Sequence, residues 1–201
     1  MVTATKPPSN KGHQNLDLWE TQAKQVGPES LQAVEQLGQK VFDKEAVGLA
    51  AMKLRNVVMD GKNIDAQKRA LEKIVDGAKT PRTPGKPEYV DNRGICCDQL
   101  MYLAINKKGE MGDKALNNLV ETSNMLGTRG HALNNLATVV TKASEGRRGD
   151  TAWDRVKTAA DDATLKARVI PLLERITKEA TGNHQLAAEA KLQQMQSPGL
   201  K

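Results

Sequence analysis

Apolar residues recur at helical spacing along most of this chain. Leu31, Val34, Leu37 and Val41 step by three, three and four, which lines one face of an α-helix. A second stripe, Val47, Ala50, Ala51, Leu54, Val57 and Val58, stops at Asp60-Gly61. A third, Ile64, Gln67, Leu71, Ile74 and Val75, has Gly77 past its end. Residues 79–94 then place three prolines and two glycines in sixteen positions, which forbids a continuous helix. Residues 95–105 (ICCDQLMYLAI) are apolar nearly all round, as in a central buried helix. Asp113 is placed to cap a helix carrying Leu116, Leu119, Val120 and Leu126, ended by Gly127. Gly130 opens another with Leu133, Leu136, Ala137 and Val140, ended by Gly146. Asp150 or Thr151 starts one with Trp153, Val156 and Ala160. Thr164 precedes Leu165, Val169, Leu172, Leu173 and Ile176, which end at Gly182, and Pro171 inside that pattern predicts a kink or a break. Asn183 is placed to cap a last short helix through Met195.

The predicted fold is therefore all-α: an irregular bundle or a short stack of helical hairpins, with a disordered N-terminal tail. Helix starts near residues 29, 46, 64, 94, 113, 130, 150, 164 and 183 recur mostly every 14 to 19 positions. Pairing them makes hairpins of about 34 residues, within the range of helical repeat units. The pentapeptide ALNNL occurs at residues 115–119 and 132–136, seventeen residues apart, but the fingerprints of tetratricopeptide and ankyrin repeats are missing. Periodicity leaves stack and bundle both open, because each buries one apolar stripe per helix. The expected organisation is a flexible polar tail at 1–27 and an N-terminal helical lobe at 28–78. A Pro/Gly-rich loop or linker follows at 79–94, then a C-terminal helical lobe at 95–196.

Composition narrows the class. At 38% apolar residues and five aromatics in 201 positions, the chain lacks the material of a large β-sandwich or barrel. No run is long and apolar enough to predict a membrane span, and the first fifteen residues contain no apolar signal-peptide core. Cys96 and Cys97 are adjacent and are the only cysteines, so no disulfide framework is expected and a reducing compartment suits the chain. They read as small apolar side chains on a buried helix; Arg93 and Asp98 nearby act on a thiol in opposite directions.

Catalytic motifs fail by inspection. There is no phosphate-binding glycine loop, and His13, His131 and His184 stand in no zinc-binding spacing, so no catalytic residue, metal or cofactor is assigned. A Cys97–His131 pair would depend on tertiary proximity. Binding residues are better candidates. Arg129 and His131 lie at a helix start, and Lys107, Lys108, Arg147 and Arg148 form basic pairs near glycines, where they can reach a partner's phosphate or carboxylate. Lys79, Arg82 and Lys86 add charge to the Pro-rich loop. With 30 basic against 24 acidic residues, nucleic acid is a possible partner, although single-strand readers usually add stacking aromatics and the five here are scattered.

Residues 1–15 (MVTATKPPSNKGHQN) are polar and helix-poor, with Pro7 and Pro8 blocking a helix. In composition this leader resembles the N-terminal export signals of bacterial effectors delivered by specialised secretion machines. The resemblance implies a secreted protein that engages a host protein. The resulting expectation is a non-enzymatic α-helical protein–protein interaction module, cytoplasmic and delivered through such a system where the leader acts as a signal. The alternative is a basic helical nucleic-acid-binding protein.

Overall fold

A computed structural model describes residues 11–80, 92–143 and 146–197. Residues 1–10 of the expected tail and residues 81–91 of the Pro/Gly loop, with Arg82 and Lys86, lie outside them. The described residues form ten α-helices and no strand. These are α1 (Lys11–Ala23), α2 (Pro28–Lys40), α3 (Val47–Asp60), α4 (Ile64–Lys79) and α5 (Asn92–Asn106), followed by α6 (Glu110–Thr122), α7 (Arg129–Lys142), α8 (Arg147–Ala160), α9 (Lys166–Glu179) and α10 (Asn183–Gln196). A short 3-10 turn, Ala163–Leu165, leads into α9. The anticipated stripes are largely the buried faces: Val34, Leu37, Val41, Leu54, Val57, Val58, Leu133, Leu136, Leu173 and Ile176 are all fully buried, whereas Leu31 is 39% exposed.

Two local expectations change. Residues 11–23 belong to α1 and not to a flexible tail. Its inward positions are Leu16, Trp19, Glu20 and Ala23, and the glutamate in the stripe hides the helical period. The Glu20 carboxylate is accommodated because Lys24 Nζ lies 2.8 Å away, Lys53 Nζ 2.7 Å away, and the Asn56 amide donates to it at 2.9 Å. Pro171 does not break α9, which runs continuously from Lys166 to Glu179. In the second turn its missing N–H removes one rung of the ladder.

The chain divides into two compact units, Met1–Lys73 and Ile74–Lys201, a boundary inside α4 and ahead of the lobe end expected at residue 78. In the first unit α1 packs on α2 and α3, and α2 on α3. Lys53 on α3 is nearly buried and meets Asp17 (2.6 Å) and Glu20 of α1. Glu35 on α2 receives Arg69 and Lys73 of α4.

The second unit is a stack of three hairpins. Helices α5 and α6, α7 and α8, and α9 and α10 pair through short turns. The first helices of the hairpins (α5, α7, α9) pack side by side as one layer, and the second helices (α6, α8, α10) as another. This repeat of 36 to 37 residues is marked by Gly109, Gly146 and Gly182, each with positive φ and each preceding the second helix of its hairpin. A residue with a Cβ is strained in that backbone region. The ALNNL copies fall on α6 and α7, in different layers, so their spacing is that of successive helices rather than of hairpins. Cys96, Cys97, Leu100, Leu103 and Ala104 of α5 are fully buried between the layers, as the apolar 95–105 segment predicts, while Tyr102 is 39% exposed.

Close approach of the second layer occurs at glycine. A Cβ on Gly112 would collide with the Lys107 carbonyl and the Arg148 guanidinium, and one on Gly149 with the Ala143 carbonyl, leaving only 3.1 Å to the His184 ring. Gly48, by contrast, has nothing within 4 Å. Gly112→Ala and Gly149→Ala should each therefore destabilise by about 1–3 kcal/mol through backbone displacement. Gly48→Ala should gain up to about 1 kcal/mol in urea denaturation.

Acid should weaken the α1–α3 contact in a defined window. Burial pushes the Glu20 carboxyl up, but hydrogen bonds from Lys24, Lys53 and Asn56 outweigh it and bring it from 4.5 down to about 2. A folded value below the unfolded one gives stability that is present above pH 4.5 and lost as pH falls through about 2. Urea melts across that range should show wild type losing stability more steeply than Glu20→Gln.

Candidate functional site

Hairpin geometry sends the six candidate binding residues to opposite ends of the second unit. Lys107 and Lys108 stand in the α5–α6 turn, and Arg147 and Arg148 follow the α7–α8 turn. Arg129 and His131 stand at the other end, just after the α6–α7 connector (residues 123–128).

Arg148 is not a free surface cation. Its Nε donates to Asp113 at 2.6 Å, Nη1 to the Ala104 and Lys107 carbonyls at 3.0 and 2.7 Å, and Nη2 to the Gly109 carbonyl at 2.8 Å. The guanidinium thus satisfies carbonyls left open at the end of α5 and ties α8 to the preceding hairpin. The same contact recurs one hairpin later, where the His184 ring faces Asp150 at 3.0 Å. The His184 ring also packs against Trp153, centroids 6.3 Å apart. Arg147 and Lys108 are exposed, and Lys107 is half-buried.

His131 is likewise engaged: its Nε2 lies 2.7 Å from Asp98 Oδ1, which also accepts from the Asn135 amide at 2.8 Å. Burial raises the Asp98 carboxyl, but the bonds from His131 and Asn135 prevail and hold it below its usual range. The pair joins α5 to α7, with the ring tight against Gly94. Cys96 and Cys97 are not joined in a disulfide and have no solvent exposure. A nucleophile sealed in this way is not presented to a substrate.

Around the α6–α7 connector the structure assembles arginines that sequence reading did not group. Arg129 Nη2 donates to the Asn124 carbonyl at 3.2 Å. Arg155, from α8, donates through Nε to Ser123 Oγ at 2.7 Å and through Nη2 to the Ser123 carbonyl at 3.2 Å. Arg168 of α9 lies over Gly130, in space that a Cβ would take, and Arg93 of α5 lies over Gly127 in the same way. Arg129 and Arg155 supply positive charge at the carbonyl end of α6, which the helix dipole favours. Neither they nor Arg168 has a carboxylate at ion-pair distance among the described residues, and the Arg129 Nε is buried without an acceptor. Burial and the neighbouring Arg129 charge depress the Arg155 pKa against the pull of Asp162. Asp162 is held low by the Thr164 hydroxyl and backbone N–H, then by these two arginines. Leu126 projects from this connector with 88% of its surface exposed. The available signal was the arginine in the first turn of both α5 and α7, Arg93-Gly94 and Arg129-Gly130, 36 residues apart.

Among the described residues no cluster of His, Cys, Asp or Glu is placed to hold a metal ion, and no helix is long and apolar enough to cross a membrane. No protein-family model matches the chain, and no curated protein is detectably similar to it.

The two arginines that open α8 should respond differently to mutation. Arg148→Ala removes charge-assisted bonds to partly buried acceptors and should cost about 2–3 kcal/mol. Arg147→Ala, one residue away and exposed, should stay within about 0.5 kcal/mol of wild type in thermal or urea denaturation.

Proposed function

We propose that this chain is a non-enzymatic helical scaffold that binds another protein. The observation that carries the reading is the two-layer hairpin stack of the second unit. Stacked hairpins bury their inner faces on one another and leave an extended surface for a partner. Exposed Leu126, Leu186 and Tyr102 supply apolar contact on that unit, and the arginines at the connector supply charge. Delivery to a host cell as a bacterial effector belongs to the same reading and rests on the composition of the leader. The second reading, a basic nucleic-acid binder, is favoured by the net charge of +6 and by the cations at both ends of the hairpins.

Capture on the immobilised full chain, followed by mass spectrometry with and without nuclease, separates the two. The scaffold reading expects the same protein partners after nuclease treatment. Fluorescence anisotropy with short DNA and RNA should show weak binding that disappears near physiological salt. Tight binding that falls linearly with log salt, with a slope near −0.9 per duplex phosphate neutralised, would instead establish the second reading.

A further inference from the structure

We propose that the connector end of the second unit is a docking site for an acidic peptide segment of a partner protein, with Arg129, Arg155 and Arg168 taking its carboxylates around an apolar contact on Leu126. This rests on the scaffold reading and names the partner chemistry. Guanidiniums from α7, α8 and α9 gather at the α6–α7 connector and the first turn of α7: Arg129 and Arg155 bond to the connector, Arg168 lies over Gly130, and Arg93 of α5 lies over Gly127. Arg129 and Arg155 share a carboxylate neighbour, Asp162, which acts on them through space while its own oxygen is bonded to Thr164. Positive charge therefore exceeds negative at this place.

The donors are also held in position. Arg155 spends Nε and Nη2 on Ser123 and Arg129 spends Nη2 on Asn124, so Nη1 of each is left for an incoming acceptor. Arg168 is exposed and has no acceptor among the described residues. Arg129 and Arg155 can thus each give a carboxylate one charge-assisted bond from Nη1, while the open fork of Arg168 can take one bidentately. Leu126, at 88% exposure in the same connector, favours a ligand with an apolar side chain between its acids. Nucleic acid is the poorer fit. Single-strand readers stack bases on aromatic rings. Trp153 is buried, and exposed Tyr102 stands toward the opposite end of α5.

The test uses the full chain and a fluorescein-labelled peptide of repeated Glu-Glu-Leu, followed by anisotropy. Controls are the Gln-Gln-Leu and Glu-Glu-Ser peptides and single-stranded DNA of equal length. Saturable binding of the Glu-Glu-Leu peptide is expected, weaker for both control peptides. Arg129→Gln with Arg168→Gln should reduce affinity about tenfold or more, and Lys107→Gln with Lys108→Gln, which removes equal charge at the other end, less than about twofold. Leu126→Ser should lower affinity for Glu-Glu-Leu but not for Glu-Glu-Ser. Arg155 is left intact because it holds Ser123, and thermal melts verify that the variants fold. No saturable binding, equal losses from the two charge pairs, or DNA binding more tightly through the same arginines would each overturn the proposal. If the Arg129/Arg168 variant still captures every nuclease-resistant protein partner, this site fails and the scaffold reading stands. If wild type captures none, the scaffold reading itself fails.

Discussion

Stacking of one hairpin on the next is the interaction on which the rest of the second unit depends. An α-helix with a single apolar stripe cannot bury it within its own hairpin, so each pair needs a neighbour. Leu133, Leu136, Val139 and Val140 of α7 reach zero exposure because α5 and α9 flank that helix. In the second layer the approach is close enough that Gly112 and Gly149 meet carbonyl oxygens and the Arg148 or His184 side chain where a Cβ would be. The carbonyls belong to the turn of the same hairpin, whereas Arg148 and His184 come from the next one, so each glycine makes room for the side chain that joins successive hairpins.

A polar device accompanies that packing. An acid on one helix meets a base two helices further along, 33 to 35 residues later. The pairs are Glu20 with Lys53, Glu35 with Arg69, Asp98 with His131, Asp113 with Arg148, and Asp150 with His184. The pairs open to solvent, Glu35–Arg69 and Asp98–His131, contribute at most about 1 kcal/mol each. Their main effect is to select one alignment of equivalent helices. The contacts that also satisfy carbonyls, above all Arg148, add stability of their own.

What this arrangement leaves over is charge that the hairpin contacts do not use. Arg148 and His131, both from basic sequence clusters, serve the register, Arg148 through Asp113 and the end of α5 and His131 through Asp98. Arg129, Arg155 and Arg168 come from three different helices and gather about the α6–α7 connector, where Arg129 and Arg155 share Asp162. A charged surface of this kind can recognise an anion with little reorganisation, because several of its donors are already held by the α6 terminus.

Helix content and most helix starts were legible in the sequence, because apolar spacing and Gly, Asp and Pro punctuation are local properties of the chain. The buried α5 segment was legible for the same reason. The first helix was not, since Glu20 interrupts its stripe and becomes tolerable only once Lys53, distant in sequence, is packed against it. The hairpin period was present as glycines at 109, 146 and 182, but their shared meaning depends on a positive φ visible only in the folded backbone. The candidate site divides in the same way. Arg129 could be named from its place beside a glycine turn, whereas its association with Arg155 and Arg168, and the diversion of Arg148 into the fold, were decided by tertiary structure. A side chain's charge is local information; which carbonyl, carboxylate or neighbouring cation it faces is set by helices that meet only when the hairpins stack.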